Sequence, residues 1–507
     1  MMHLLLTGCI ALAGILPASL KAINCDPCDC KTTSHTFFSV RPVYQWNSPE
    51  RLALTRHLMN RSEDGYNGGL SLAVLGGRST KSERIARFFF PDCKQRLTIN
   101  EAVDVPGTDI LASNLNIDTV DGNFSSIIQI CPRQTFIGLG ITYQQAIAEF
   151  CEGRWLWFAI SAPVLRVKND MRLQECVIED GGGVNPDVTG AVPNAIQAFK
   201  QPAWQYGRIN NNCNNSTTKL GDLEILLGYQ LVNNECCRLD SYAGGVFPTG
   251  NRPCGRTVFE PIVGSNKHYG VMFGSSLGIM LWEECDSSLE FAVDFNGQYM
   301  FKRTERRSLD LKNKPFSRYI STYANATQAQ EAFDLIVPDL PNAVALQTPG
   351  INLFTLPLTI TPGFTRVLNL AFVHTHCEWE SELGYNFYAR EAECAELACR
   401  FNESAAVKAI TGQGATNPVR QIGDDFGGAN DVSLVNYAQS IITAADLNLH
   451  SAAHPGVMSH IIYGAVGYHW DDTCYPTLLG GGASYEFSGD NTALHRWMIW
   501  GKLNVSF

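Results

Sequence analysis

What this 507-residue chain lacks narrows its class. After the first 22 residues there is no uninterrupted apolar stretch of about 20 residues, so no membrane-crossing helix is predicted. Charged residues make up only 17% of the chain, too few for a disordered protein. Positive charge is the scarcer sign, with 38 Lys and Arg against 49 Asp and Glu. The formal net charge of −11 leaves no basic stripe for nucleic acid. No nucleophile elbow, P-loop or His-Glu-x-x-His pair stands out, so no enzymatic activity and no cofactor are expected.

Cysteine is not scarce: there are 17, all but Cys9 beyond residue 22. That number points to an oxidising compartment and disulfides. Residues 1–22 hold an apolar core followed by small residues and read as a cleaved secretory signal. Residues 23–35 form a Cys-rich segment whose cluster Cys25, Cys28 and Cys30 suits disulfides better than metal. His374 and His376 near Cys377 offer metal ligands, but alternating histidines at a strand end fit one wet face better. No metal site is assigned.

The rest of the chain is organised around its end. From Trp497 onward every second residue is apolar or Gly (Trp497, Ile499, Gly501, Leu503, Val505, Phe507), while Arg496, Lys502, Asn504 and Ser506 take the other parity. Successive strand side chains point to opposite faces, so this is a strand with one apolar and one wet side. Long alternating hairpins precede it at 268–283 with 288–302, 366–376 with 380–390, and 459–470 with 476–487. A membrane strand needs about 9 to 11 residues, and these arms supply them. Counting back from Phe507, the short turns fall at one end and the long inserts at the other.

A final strand of alternating apolar residues ending on Phe resembles the insertion signal of Gram-negative outer-membrane β-barrels. With its many cysteines the chain is similar to the cysteine-rich envelope barrels of chlamydia-type bacteria, whose envelopes are cross-linked by disulfides. The resemblance implies that Ile499, Gly501, Leu503, Val505 and Phe507 are read by the barrel assembly machinery. It also implies integral placement in outer-membrane lipid, with homo-oligomeric or disulfide-linked envelope partners.

The expected fold is all-β, a transmembrane antiparallel up-and-down β-barrel of about 14 strands (12–16) spanning 36–507, with large inserts at 168–219, 303–365 and 391–457. Parity places Glu290, Asp294, Asn296, Lys302, Glu382, Asn386, Arg390 and Lys502 on the lumen side of a porin-like channel for small solutes. Two rivals remain. A fatty-acid-type transporter of hydrophobic solutes would need an apolar lumen pocket and an N-terminal plug, for which 46–67 would serve. A secreted disulfide-rich β glycoprotein would use sequons such as Asn60, Asn123 and Asn402.

Overall fold

The computed structural model describes residues 34–55, 68–102, 105–151, 154–209, 215–325, 327–328, 348–403, 406–407, 441–470 and 474–507. The expected signal and the Cys25–Cys30 cluster lie outside them.

Twelve strands close into one ring. They are β1 (Gly68–Thr80), β2 (Arg133–Cys151), β3 (Arg154–Asp170), β4 (Leu223–Asn234), β5 (Cys237–Phe247) and β6 (Gly270–Glu284). The circuit continues through β7 (Ser287–Met300), β8 (Thr365–His376), β9 (Trp379–Arg390), β10 (Val457–Trp470), β11 (Thr477–Ser488) and β12 (His495–Ser506). Each strand pairs antiparallel with its neighbours in sequence, and β12 closes on β1 with Gly69 opposite Ser506 and Thr80 opposite His495. This is an up-and-down barrel with no free edge.

Alternation explains the two faces. Val74, Ile137, Leu227, Leu281, Leu383, Ile462 and Ile499 point outward and are each more than half exposed. So much outward apolar surface is unfavourable in water and suits lipid. Aromatics bracket this band, with Trp282, Trp379, Trp470 and Tyr475 at one end and Tyr269, Tyr299, Tyr485 and Trp497 at the other. Among the described residues no helix is long and apolar enough to cross a membrane.

The two ends differ. Connections 152–153, 235–236, 285–286, 377–378 and 471–476 are short, and residues 68 and 507 lie at the same end. At the opposite end, the described residues of 81–132, 171–222, 248–269, 301–364 and 391–456 form a cap with its own core, built from residues such as Phe88, Phe89, Phe90, Phe124, Phe199, Trp204 and Tyr319.

Two stretches that read as strands in the sequence, 36–45 and 124–131, are not staves of the barrel. Residues 36–45 form no strand, and Ser125–Gln129 joins a four-stranded cap sheet with Arg96–Asn100, Ile110–Leu111 and Gln174–Glu179. The physical reasons differ. Ser125–Gln129, at 5 residues, is too short to cross the apolar band, and its neighbours Phe124 and Ile130 are buried in the cap. Residues 36–45 instead enter the lumen, where barrel side chains replace a neighbouring strand. Their removal from the count explains a ring of 12 where about 14 strands are expected.

Candidate functional site

Many inward positions of the barrel are polar, and they face protein. Residues 34–55 run from the cap down the lumen toward the short-turn end, and the wall bonds to them along the way. Near the cap, Arg390 Nη1 donates to Ser39 Oγ at 2.8 Å. One step down, Arg41 Nη2 donates to Asn386 Oδ1 at 2.7 Å, and Arg496 Nη1 donates to the Arg41 carbonyl at 3.1 Å. Mid-lumen, Asn386 Nδ2 donates to the Asn47 carbonyl at 2.8 Å and the Trp46 N–H to Glu224 Oε2 at 3.1 Å.

The segment then turns through α1 (Pro49–Leu52), a single helical turn started by Pro at its first position. Arg51 Nε donates to Ser161 Oγ at 3.3 Å, and its guanidinium stacks on Trp46 with its carbon 3.3 Å from the ring centroid. At the far end the Leu54 N–H donates to Glu382 Oε2 at 3.2 Å. Lys502 Nζ donates to the Arg51 carbonyl at 3.0 Å and to the Ala53 carbonyl, and Asn504 Nδ2 donates to the Leu54 carbonyl.

Hydrogen bonds to charged groups contribute about 1.5–3 kcal/mol each when buried partners would otherwise go unpaired. Lys502 is 1% exposed and Glu382 3%. Without the segment, water would have to enter and solvate both. The cavity beside it at the cap end lined by residues such as Ser39, Pro42, Gln298 and Met300 holds about 40 Å³. That is room for a few waters.

One wall of the lumen is apolar. Trp157, Ala159, Leu226, Tyr242, Val246, Met272 and Met300 form a patch that Trp46 covers, its ring 6.3 Å from Trp157 and 5.5 Å from Tyr242.

The eight residues assigned to the lumen by parity fall into three groups. Glu382, Asn386, Arg390 and Lys502 bond the segment directly, as above. Asp294 and Asn296 are buried in the wall, Asp294 accepting from Ser276 Oγ and Asn296 Nδ2 donating to Tyr242 Oη at 3.2 Å. Glu290 is half-buried, 3.6 Å from Arg238 Nη2. Lys302 lies past the end of β7 and is exposed, because the strand stops at Met300 and parity ends with it. Glu224, Ser161, Arg496 and Asn504 also hold the segment. Their signal was shared parity, which for Arg496 and Asn504 is visible on the same strand as Lys502.

The terminal residues Ile499, Gly501, Leu503, Val505 and Phe507 share the outward face of β12. Phe507 exchanges both backbone bonds with Gly68, at 2.7 and 3.0 Å, and stacks on Tyr143 at 6.1 Å. A side chain at Gly68 would sit 2.5 Å from Gln145 Oε1 and 2.6 Å from the Phe507 ring, so both side chains would have to shift.

The cap end of the segment is held by buried ionisable groups. Arg307 donates through Nε to Glu305 Oε2 at 2.8 Å and through Nη1 to Glu393 Oε2 at 2.5 Å. Burial alone would raise the Glu393 carboxyl, but the Arg307 and Arg390 guanidiniums overcome it and hold the pKa at about 2. Phe88 is sandwiched between the rings of His35 and His454, at 4.7 and 5.3 Å. Burial pushes His35 down to about 3, with His450 and Arg318 adding to the shift, and pushes His454 well below its usual range, helped by Arg390.

The expected disulfide framework is not formed among most described cysteines. Cys131, Cys176, Cys236, Cys237, Cys254, Cys285, Cys377, Cys394, Cys399 and Cys474 are free, dispersed over strands, turns and loops, and Cys93 is disulfide-bonded. A Gly-x-Ser-x-Gly string at 274–278 lies inside β6 and not at a strand-to-helix elbow.

The chain is a closed barrel with a filled lumen. No protein-family model and no curated protein matches it. Among solved structures it is similar to an outer membrane channel from Pseudomonas putida F1, at 8% identity and a TM-score of 0.36, over 87% of this chain and 96% of that one. A Pseudomonas aeruginosa FadL homologue gives 9% and 0.27 over 88% and 90%, and the beta domain of the Bordetella autotransporter BrkA gives 8% and 0.30 over 86% and 98%. Likenesses this distant carry no argument, and the assignment rests on the ring of strand pairs.

Proposed function

We propose that this chain is an outer-membrane transport barrel for hydrophobic solutes, closed at rest by residues 34–55, and neither a permanently open porin nor an enzyme. The observation that carries the reading is Trp46 on the apolar wall formed by Trp157, Leu226, Tyr242, Met272 and Met300. The plug keeps an aromatic ring where an apolar solute would lie, and methionines adapt to varied shapes. A polar lumen packed with protein does not support free diffusion of sugars or ions. The loop cap then faces outward and the short turns face the periplasm.

Proteoliposomes test this. Labelled long-chain fatty acid should enter faster with the protein than without it, whereas small sugars should not cause swelling. Rapid swelling in sugars by the intact chain would return the reading to a porin.

A disulfide-linked structural role is a second reading, favoured by exposed Cys236, Cys285, Cys377 and Cys474 at or beside separate short turns. Non-reducing gels of native envelopes should then show ladders that collapse with reductant.

A further inference from the structure

On the cap half of the barrel's outward face, charge gathers almost entirely in one sector. In the half of the strands next to the cap, the outward positions carry Arg78 on β1, Arg133 on β2, and Arg166, Lys168 and Asp170 on β3; the other nine strands of the ring offer only Arg366 on β8 there. Arg366 is already paired with Glu391 at 2.8 Å, and Arg133 stands opposite Asp170 in the register. Arg78, Arg166 and Lys168 have no ion-pair partner among the described residues.

The register places these three cations together. Arg78 lies opposite Thr135 and Thr135 opposite Lys168, so Arg78 and Lys168 are two strand spacings, about 10 Å, apart. Arg166 is opposite Ile137, one pleat nearer the membrane centre. On its other side Arg78 stands opposite Trp497, one of the aromatics at the cap end of the apolar band. The cations therefore lie where lipid headgroups begin. Arg166 stands beside Ile137, which is 59% exposed and lipid-facing, and an arginine there is costly unless its guanidinium reaches an anion.

We propose that the outward face of β1 to β3 binds a phosphorylated glycolipid of the leaflet on the cap side. Arg78, Arg166 and Lys168 would hold its phosphates, and Ile137 and Ile499 would receive its acyl chains. Guanidinium forks match phosphate oxygens bidentately, and basic clusters at a membrane surface select anionic headgroups. In a chain of net charge −11, this local reversal of sign is a charge complement for such a lipid. The proposal rests on the reading that the barrel spans a membrane.

The test uses the full chain in detergent, with native mass spectrometry of bound lipid. The probes are a bisphosphorylated glucosamine-disaccharide lipid, its dephosphorylated form, and inorganic phosphate as competitor. The intact chain should retain the bisphosphorylated lipid, and the R78S/R166S/K168S variant should bind it roughly a hundredfold more weakly. Equal binding by the variant, equal binding of the dephosphorylated lipid, or displacement by millimolar inorganic phosphate would each overturn the proposal. Heat-modifiable gel mobility, read separately on both proteins, reports whether the barrel is folded. Its absence from the intact chain would count against the membrane-barrel reading itself.

Discussion

Lys502 shows most directly how single residues keep the barrel closed. A lysine that is 1% exposed, on the wall of a membrane barrel, is tolerated because two backbone carbonyls of the plug accept hydrogen bonds from its ammonium. Lys502→Met with Glu382→Gln removes the charged clasp at Arg51, Ala53 and Leu54 without changing the outer face. We expect protease cleavage within 46–55 to rise about tenfold or more, as the loss of one charge-assisted bond would give. Unchanged cleavage would mean that the tip is held elsewhere.

The cap end gives a pH dependence. Both His35 and His454 have folded pKa values below 6.5, so below pH 6.5 the unfolded state binds protons that the folded state refuses. Their contribution is complete above about pH 6.5 and is lost progressively as the pH falls below it, for His35 down to about pH 3, by up to about 1.4 kcal/mol per pH unit per histidine. Glu393 adds a loss in the same direction between about 4.5 and 2. The protection of amides at 34–40, taken as exchange relative to the free-peptide rate at the same pH, should therefore fall from pH 7 to pH 5, and H454Q should flatten that slope.

At the scale of elements, β12 and residues 34–55 were legible to different degrees. Lipid forces every outward residue of β12 to be apolar or small, so parity from Trp497 to Phe507 reveals both faces. The same rule identified Glu382, Asn386, Arg390 and Lys502 as inward. It gave no sign of what they face, because a wet lumen and a protein-filled one need the same polar wall. Residues 36–45 look like a strand since they are extended, yet their partners are side chains such as Asn386 and Arg496, scattered over hundreds of positions. The cap was illegible for a related reason: Phe88 to Phe90 and Trp204 follow no period and become a core only once separate loops meet. The Gly68 and Phe507 pair ends the twelve-residue seam between β1 and β12, and a valine at 68 would press on the Gln145 side chain and the Phe507 ring. G68V should therefore lower the temperature at which the heat-modifiable form is lost, and an unchanged temperature would show that those two side chains move aside.

For the molecule as a whole, the architecture divides labour between a lipid-facing shell, a cap on the long-loop side, and a strap that begins in the cap core and ends near the short turns. Phe38 lies in the cap core while Leu54 meets Glu382 and Asn504, so the strap couples both ends of the barrel. Disturbing the cap, by acid or by a bound solute, would loosen the strap from above. The most direct test is single-channel conductance in a planar bilayer, comparing the intact chain with one in which Arg41, Trp46 and Arg51 are replaced by Gly. The intact protein should be silent or nearly so, and the variant should open to steady currents through the vacated lumen. Steady, large currents from the intact chain would contradict the plugged barrel.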